Sequence, residues 1–434
     1  MLSEELRRVC TRMIDPRLGI VRRVVSVPLQ PGEPRLFIVA AHCTRPRYFA
    51  RNDACGLAST DYTVPAGGAG FEYEEALWRA LGEAAERYAA GICPTERLVT
   101  ATRRRLGERT LPVERLIGFS DEQYSRAGFP FARFDPDAPM RWIEGWNLTR
   151  GTPSFLPASL VYLGYEALSP QEILQPGISS GMAAGRTLEQ ALLGGILELV
   201  ERDAFMAAWL LRHVPRALPE CELDALLAPR ERELLHHPGF RVLLFEVTTD
   251  IGLPAVIALV QPRNRRAAVV GASAGLALAR AAARALVEAF QTLNWAIVLE
   301  RTPRVLARED VRDFADHVRF YLDPANFAKL EWFFESVPRS ARGATESDAS
   351  PRDSLSRALA HLERAGFEIH YVETTTPDLR CLGFRTVRVL IPGLHPLGVG
   401  WNLVHEDTRR LACIARHWGV PMPRRLNSDP HPFP

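Results

Sequence analysis

Pairs of glutamate or glutamine residues occur three times in this chain at a fixed distance from a glycine. In each copy a glycine is followed 13 residues later by a glutamate, and a second glutamate or a glutamine stands three residues further on. The copies are Gly70 with Glu83 and Glu86, Gly185 with Glu198 and Glu201, and Gly275 with Glu288 and Gln291. Carboxylate oxygens are hard ligands suited to Mg2+, so the repeats predict a polar, metal-binding enzyme site.

Residues three apart lie on the same face of a helix, so each pair presents its two side chains together. Like charges at this spacing repel each other unless a cation lies between them. The alternative is an ordinary solvated helix face, because arginines follow directly at Arg87 and Arg202. We favour a site because the pattern recurs in helices rich in Ala, Leu, Gly and Ile, which predict burial of the carboxylates.

A run of small residues precedes each of these helices, at residues 67–70, 179–185 and 271–275. Each run is predicted to be a loop whose backbone N–H groups could bind phosphate, although small-residue turns also serve for packing alone. A glutamate about 11 residues into a helix lies about 16 Å from its start. The glutamates and their own loop are therefore expected to contact different parts of a long ligand, such as a nucleoside triphosphate with Mg2+.

Other chemistries have weaker support. Lys329 is the only lysine, so the sequence contains no phosphate-binding loop of the G-x-x-x-x-G-K-[ST] type. The run Gly271–Gly275 matches the G-x-S-x-G pattern of serine hydrolases, with Ser273 as the nucleophile. However, Gly68 and Ala183 occupy the same position in the other two runs, which favours a backbone role for this segment. The histidines form no metal-binding H-E-x-x-H pattern.

The composition excludes several classes of function. A formal net charge of +2 favours neither nucleic acid nor an anionic membrane as a partner. The seven cysteines form no C-x-x-C pair, which argues against structural zinc and fits a reduced cytosol. The charged N-terminal residues do not form a signal peptide, and no apolar run has the length of a membrane span. A soluble cytoplasmic protein is expected.

The chain is predicted to have an α+β (mixed α/β) fold with three strand–glycine loop–helix units. Strands are predicted at residues 36–41, 155–163, 241–247, 255–260, 267–270, 367–372 and 386–391, and helices at residues 74–90, 188–211, 276–298 and around 311–321. Residues 337–357 are predicted to be a surface loop. We predict an N-terminal appended segment, residues 1–50, and a single catalytic domain, residues 51–434.

The last residues, 427–434, read NSDPHPFP. Prolines at alternate positions keep this tail extended and prevent it from pairing inside a sheet. It could be a frayed terminus. It could equally be inserted into a cleft at low entropic cost, and the residues alone leave both interpretations open.

The segments "GGAGFEYEEALWRALGEAAERYA", "SSGMAAGRTLEQALLGGILELVERDAF" and "GASAGLALARAAARALVEAFQ" resemble the YcaO family. The closing "NSDPHPFP" resembles the proline-rich terminus of its cyclodehydratases, which form thiazoline and oxazoline rings in ribosomal peptides such as bacteriocins and thiopeptides. "MIDPRLGIVRRV", "DFADHVRFYLDP" and "VRVLIPGLHPLG" are similar to the same branch. The resemblance implies a YcaO-type ATP-binding fold.

The resemblance also implies ATP and Mg2+ as cofactors and assigns roles to residues. The implied metal ligands are Glu83, Glu86, Glu198, Glu201 and Glu288, and Ser180 and Gln291 join them in binding the nucleotide. Arg202 and Arg284 are implied phosphate neighbours, and Pro434 at the end of the tail is a candidate for positioning or proton transfer. In the implied reaction a Cys, Ser or Thr side chain attacks the preceding amide, whose oxygen is then phosphorylated and lost.

The chain differs from many family members at Ala69, where they have lysine, and at Ser180, where they have asparagine. It resembles a stand-alone YcaO protein, which implies a ribosomal precursor peptide as substrate and a separate ubiquitin-activating-like partner that binds the leader of that peptide. Assembly into a homodimer stays open.

Two alternatives to azoline formation are considered. A YcaO enzyme could instead make peptide thioamides from external sulfide, and the proline-rich tail favours the azoline reaction over this one. A non-catalytic subunit that only docks peptide predicts a damaged carboxylate set, whereas the set in this chain is complete.

Overall fold

The computed structural model describes residues 2–44, 66–336 and 350–434. The described helices are α1 Glu4–Met13, α2 Tyr73–Ala90, α3 Arg103–Leu106, α4 Asp121–Ser125, α5 Ala158–Val161, α6 Leu188–Leu210, α7 Glu220–Leu226, α8 Pro229–Leu235, α9 Leu278–Glu300, α10 Phe314–Phe320, α11 Pro324–Phe327, α12 Pro351–Arg364, α13 Pro377–Cys381 and α14 Thr408–Trp418. The described strands are β1 Val21–Val27, β2 Phe37–Cys43, β3 Ala66–Gly70, β4 Val99–Ala101, β5 Met140–Asn147, β6 Thr152–Pro157, β7 Met182–Gly185, β8 Arg216–Ala217, β9 Phe240–Glu246, β10 Ala255–Pro262, β11 Val269–Ala274, β12 His370–Glu373 and β13 Arg385–Leu390.

The chain divides into two compact units, each assembled from three separate stretches. The first unit comprises the described residues of Met1–Val27, Phe37–Leu199 and Ser350–Leu394. The second comprises those of Pro28–Leu36, Val200–Ala349 and His395–Pro434. The division falls within α6, between Leu199 and Val200.

The first unit contains two antiparallel sheets. The smaller has the strand order β1-β2-β3, and β3 pairs with β2 from Phe37 opposite Gly70 to Ala41 opposite Ala66. Side chains of α1, α2 and β2 form a common apolar core against this sheet, which includes Leu6, Val39 and Leu81. The larger sheet has the order β4-β5-β12-β13-β7, with β6 paired to β5.

The second unit contains an antiparallel sheet of order β11-β10-β9-β8. Strand β10 is apolar and almost wholly buried, as expected of a central strand. Strand β11 is buried throughout and leads into α9, whose Ala281, Ala285 and Leu286 are also buried. The mixed α+β fold class predicted from the sequence is confirmed.

Most residues of the three small-residue runs form strands and not loops, whereas residues 179–181 and Gly275 lie outside the strands. Residues 67–70 lie in β3, residues 182–185 are β7, and residues 271–274 end β11. The prediction of glycine loops at the helix N-termini was therefore wrong for these residues. What the small residues permit is close packing, since a Cβ on Gly68 would lie 2.1 Å from the carbonyl oxygen of Ala76 in α2. A Cβ on Gly271 would likewise lie 2.4 Å from the backbone nitrogen of Ala289 in α9.

Most other predicted elements are present, with shifted ends. Helices α2, α6 and α9 begin and end within about two residues of the predicted bounds, a normal uncertainty. The predicted strand 155–163 ends at Pro157, and α5 begins at Ala158. The predicted loop 337–357 is wrong from Pro351 onward, where α12 begins, and residues 337–349 lie outside the described residues. The predicted domain boundary after residue 50 also falls outside them.

No helix in the described part of the chain combines the length and apolar character needed to cross a membrane.

Candidate functional site

The first glutamate of each repeated pair accepts a hydrogen bond from a backbone N–H of its own small-residue segment. We call Glu83, Glu198 and Glu288 the leading glutamates. Gly67 N–H donates to Glu83 Oε2 at 2.7 Å, Gly181 N–H to Glu198 Oε2 at 2.8 Å, and Ala272 N–H to Glu288 Oε2 at 3.0 Å. The same contact thus recurs in all three copies of the repeat.

The course of the chain explains this contact. In the first copy, Glu83 lies ten residues beyond Tyr73, the first residue of α2, which corresponds to about 15 Å along the helix axis. The extended segment from Gly67 to the helix start is of similar length, at about 3.3 Å per residue. Because the chain reverses between strand and helix, the start of β3 lies beside the middle of α2. The prediction that a leading glutamate and its own small-residue segment lie far apart was therefore wrong.

This hydrogen bond fixes one carboxylate oxygen of each leading glutamate. In Glu83 the other oxygen, Oε1, forms an ion pair with Arg87 one turn along α2. The leading glutamates are half-buried rather than buried, which corrects the burial expected from their apolar surroundings. An oriented, partly accessible carboxylate is suited to binding a cation, because its lone pairs are already directed.

The remaining predicted site residues are distributed over both units. Glu86 and Ser180 belong to the first unit together with Glu83 and Glu198, and Ser180 is buried with 5% of its surface exposed. The second unit holds Glu201, Arg202, Arg284, Glu288, Gln291 and Pro434. Arg284 is exposed and lies one turn before Glu288 on α9, whereas the other members of this set are half-buried.

No three Asp, Glu, His or Cys side chains of residues 2–44, 66–336 and 350–434 are grouped closely enough to hold a metal ion by themselves. Mg2+ usually keeps several waters and binds through one or two carboxylates together with substrate phosphates, rather than in an all-protein cage. The donor set is hard and oriented, so it fits Mg2+ that arrives with a nucleotide.

Asp203, directly after Arg202, is a buried residue that the sequence analysis missed. It is fully buried and accepts hydrogen bonds from Arg410 Nη2 at 2.7 Å and from the backbone N–H of His395 at 2.8 Å. Arg410 also pairs with Asp250 at 2.7 Å. Burial disfavours the charge of Arg410, but the two carboxylates outweigh it and raise the pKa of the guanidinium. This network fixes the helical turn that carries Glu201 and Arg202.

The proline-rich tail is embedded in the second unit. His431 and Phe433 are each 1% exposed, and Pro434 is half-exposed. The Trp209 indole N–H donates to the carbonyl oxygen of Asp429 at 2.9 Å, and the Tyr321 hydroxyl donates to that of Pro430. Of the two interpretations of the tail, the inserted one is correct and the frayed one is not.

The end of the tail packs on the helix that carries Glu201. The Phe433 ring lies 4.9 Å from the ring of Phe205, one turn after Glu201 on α6. Burial, reinforced by His317 and Arg202, holds the pKa of His431 well below its usual value. Arg202 therefore lies near enough to the tail to act on it electrostatically.

Ser273 does not occupy a nucleophile elbow. It lies inside β11, is buried, and its hydroxyl donates to the carbonyl oxygen of Ala274 at 3.4 Å. A nucleophile elbow instead exposes its serine on a sharp turn between strand and helix. The serine-hydrolase alternative is thereby excluded.

Comparison with known proteins identifies the family and the fold of the chain. The profile of the family described as "YcaO cyclodehydratase, ATP- and Mg2+-binding" matches residues 67–395. A sequence relative from Rhizobium leguminosarum bv. trifolii, named "Uncharacterized protein in tfuA 3'region", is 31% identical over 265 residues. The match covers 56% of this chain and 59% of the relative, so the chain spans about three fifths of that protein.

Three solved structures have the same fold. A "Heterocyclase in complex with substrate and Cofactor" has a TM-score of 0.77 and 23% identity, and the match covers 99% of this chain and 57% of that one. YcaO from Methanopyrus kandleri, bound with AMPPCP and Mg2+, has a TM-score of 0.63 and 21% identity over 90% of both chains. A chain of the E. coli microcin synthetase McbBCD complex has a TM-score of 0.60 and 16% identity, with 95% and 96% coverage.

Proposed function

The chain belongs to the YcaO family of ATP- and Mg2+-binding cyclodehydratases, and from this premise we propose that it converts Cys, Ser or Thr residues of a ribosomal precursor peptide into thiazoline or oxazoline rings at the expense of ATP. The observation that carries this proposal is the threefold contact between a leading glutamate and a backbone N–H. The same kind of contact orients one carboxylate in each of the three copies. A solvated helix face has no need of such orientation.

We assign the carboxylates as ligands of Mg2+ and the arginines as contacts of the ATP phosphates. Glu83, Glu86, Glu198, Glu201 and Glu288 would ligate Mg2+, and Ser180 and Gln291 would contact the nucleotide. Bound Mg2+ would neutralise charge on the phosphate oxygens during transfer. Arg202 and Arg284 would contact the phosphates directly, since a guanidinium presents several donors in a fixed geometry.

The proposed reaction requires that the amide oxygen become a good leaving group. The substrate thiol or hydroxyl adds to the carbonyl carbon of the preceding amide, and the resulting oxygen is a poor leaving group. Transfer of the terminal phosphoryl group of ATP to that oxygen lets it depart as phosphate while the nitrogen forms the double bond of the ring. Each ring therefore consumes one ATP and removes the amide oxygen as part of the phosphate.

The embedded tail supports the azoline reaction over simple ATP binding. The Phe433 ring packs on Phe205, one helical turn after Glu201, and the charge of Arg202 contributes to the lowered pKa of His431. We assign Pro434 to positioning or proton transfer near these residues.

The proposal is tested by incubating the protein with a Cys-rich precursor peptide, its partner protein and ATP. Loss of one water per modified residue, with the amide oxygen recovered in phosphate by isotope labelling, is expected. Exchange of oxygen for sulfur in the presence of sulfide would show thioamide formation instead. Absence of any peptide-dependent ATP hydrolysis would favour a non-catalytic docking subunit.

A peptide substrate and a separate partner are part of the same proposal. The heterocyclase neighbour is described with its substrate, and the microcin synthetase neighbour is described as a complex of several proteins. By analogy, we propose that a leader-binding partner of the ubiquitin-activating type delivers the precursor peptide to this chain.

A further inference from the structure

His317 in α10 uses both of its ring nitrogens within the second unit. The backbone N–H of Gly400 donates to His317 Nε2 at 3.0 Å, so this nitrogen carries no proton. Nδ1 therefore carries the proton and donates to the carbonyl oxygen of His431 at 2.7 Å. His317 is fully buried, and burial lowers its pKa to about 4, so the ring stays neutral. A single neutral imidazole thus connects the 398–400 loop to the tail.

The ring of His431 completes this connection. It stacks on the ring of His317 with centroids 4.0 Å apart and planes inclined by 15°. Its Nε2 faces the carbonyl oxygen of Gly398 at 2.7 Å, to which it donates. The two histidines therefore tie three segments together: α10, the loop and the tail.

Earlier contacts fix the tail only as far as Pro430. Lys329 Nζ lies 3.2 Å from the Asp429 carboxylate, and Trp209 and Tyr321 bind the carbonyl groups of Asp429 and Pro430. Beyond Pro430, the described contacts are those of His431 and the packing of Phe433 on Phe205. The direction in which residues 432–434 leave is thus set at His431.

We propose that His317 is a positioning residue which, through its Nδ1–H bond to His431, directs the end of the tail toward the Glu201–Arg202 turn of α6. It acts on the reaction only through the tail. The role of His317 in the reaction rests on the function proposed above, whereas its positioning of the tail can be measured without any reaction.

Two substitutions separate the two hydrogen bonds of the ring. His317→Asn places an amide donor at the position of Nδ1 and can keep the bond to His431, but offers nothing to Gly400. His317→Gln places a carbonyl acceptor at the position of Nε2 and can keep the bond to Gly400, but loses the donor to His431.

Hydrogen exchange of the free protein gives the first measurement. In His317→Gln the amides of His431 and Phe433 should exchange about tenfold faster than in the unaltered protein, the effect of one lost hydrogen bond. In His317→Asn they should stay protected while the Gly400 amide exchanges faster. His213→Asn is the matched control, because its ring stacks on Trp418 at 4.6 Å instead of on the tail. Equal tail exchange in all four proteins would overturn the proposal.

Peptide-dependent ATP turnover gives the second measurement. We expect kcat to fall about tenfold or more in His317→Gln with the KM for ATP unchanged, and to recover in His317→Asn. A loosened tail with unaltered kcat would overturn the role of His317 in the reaction. An unaltered protein without peptide-dependent turnover would instead contradict the proposed function.

A measurement on the unaltered protein covers the case in which the variants fail to fold. Nitrogen NMR shifts of the His317 ring distinguish the two neutral tautomers. The proton is expected on Nδ1, and finding it on Nε2 would overturn the proposal.

Discussion

The two oxygens of the Glu83 carboxylate have different partners, Gly67 N–H and the Arg87 guanidinium. The ion pair with Arg87 is typical of an ordinary helix surface. The hydrogen bond from Gly67 is not, because it joins the side chain to the backbone of the neighbouring strand β3. Its recurrence at Glu198 and Glu288 is the reason that we propose a site instead of a solvated face. At the residue scale, the hydrogen-bond partner of each carboxylate indicates its role better than the spacing of the glutamates does.

The sharpest test at this scale concerns Glu201, which lies on the turn held by the Asp203–Arg410 network. Glu201→Gln keeps the shape of the side chain and removes its charge. ATP hydrolysis should fall by about two orders of magnitude or more, since charge at the phosphoryl group would go uncompensated. Steady-state ATP hydrolysis and a thermal melt, run on the same preparation, measure the loss and check the fold.

Glu189→Gln provides the control for this experiment. It makes the same change on the same helix, near the start of α6. It should leave turnover and melting temperature close to those of the unaltered protein. Unchanged turnover in Glu201→Gln would remove Glu201 from the metal set.

At the scale of elements, periodicity predicted the long helices well but misread the strands of small residues. Strands β3, β7 and β11 consist largely of Gly, Ala and Ser, residues of low strand propensity that are typical of turns. Their small residues let β3 lie directly against α2 and β11 directly against α9. This packing depends on tertiary contacts, so strand formation here could not be predicted from a local pattern in the sequence.

Close packing at Gly68 makes a prediction about stability. A Cβ there would meet the backbone of α2 at 2.1 and 2.5 Å, atoms that can move only if the strand or helix shifts. Gly68→Ala should therefore lower the free energy of unfolding by about 1–3 kcal/mol. It should also displace the Gly67 N–H that holds Glu83 and so reduce ATP turnover. Chemical denaturation and ATP hydrolysis measure the two effects.

Gly82→Ala is the matched control within α2. A Cβ at Gly82 has no neighbour within 4 Å, and alanine is the better helix former. This variant should raise stability by about 0.5–1 kcal/mol without changing turnover. If both variants were neutral, the packing interpretation of the small-residue strands would be wrong.

The sequence did not decide whether the tail is frayed or inserted, because an extended segment with few hydrogen-bond donors has no periodic pattern. Its place is set by long-range partners such as Trp209, His317 and Tyr321, which are over 100 residues away in the chain. The same holds for the contact of Asp203 with Arg410. Such pairs could not be found from a single sequence, since nothing local relates them.

Removing the end of the tail should reduce ring formation far more than it reduces folding. Deletion of Pro432 to Pro434 takes away the buried Phe433 ring and should also cost about 3 kcal/mol or more of stability. Deleting Pro434 alone removes only a half-exposed residue, so its effect on activity is free of this packing loss. Mass spectrometry of the peptide product and a thermal melt are the measurements. Full ring formation by the longer deletion would mean that the buried tail serves stability alone.

At the scale of the whole molecule, each unit draws on three separate stretches of chain, which explains why no linker is visible in the sequence. Composition and the repeat correctly indicated the α+β class. The single catalytic domain at residues 51–434 stays a prediction.

Mg2+ usually binds through one or two carboxylates together with substrate phosphates, so Mg2+ alone should bind this protein weakly. With a non-hydrolysable ATP analogue, phosphate oxygens add to the carboxylates and the two ligands should stabilise the protein together. Thermal melts with Mg2+, with the analogue, and with both should show a clear increase only for the pair, about 2.7 kcal/mol at a hundredfold excess over Kd. Glu201→Gln should abolish this joint effect and Glu189→Gln should retain it. Saturable stabilisation by Mg2+ without nucleotide would instead indicate a metal site that the protein forms by itself.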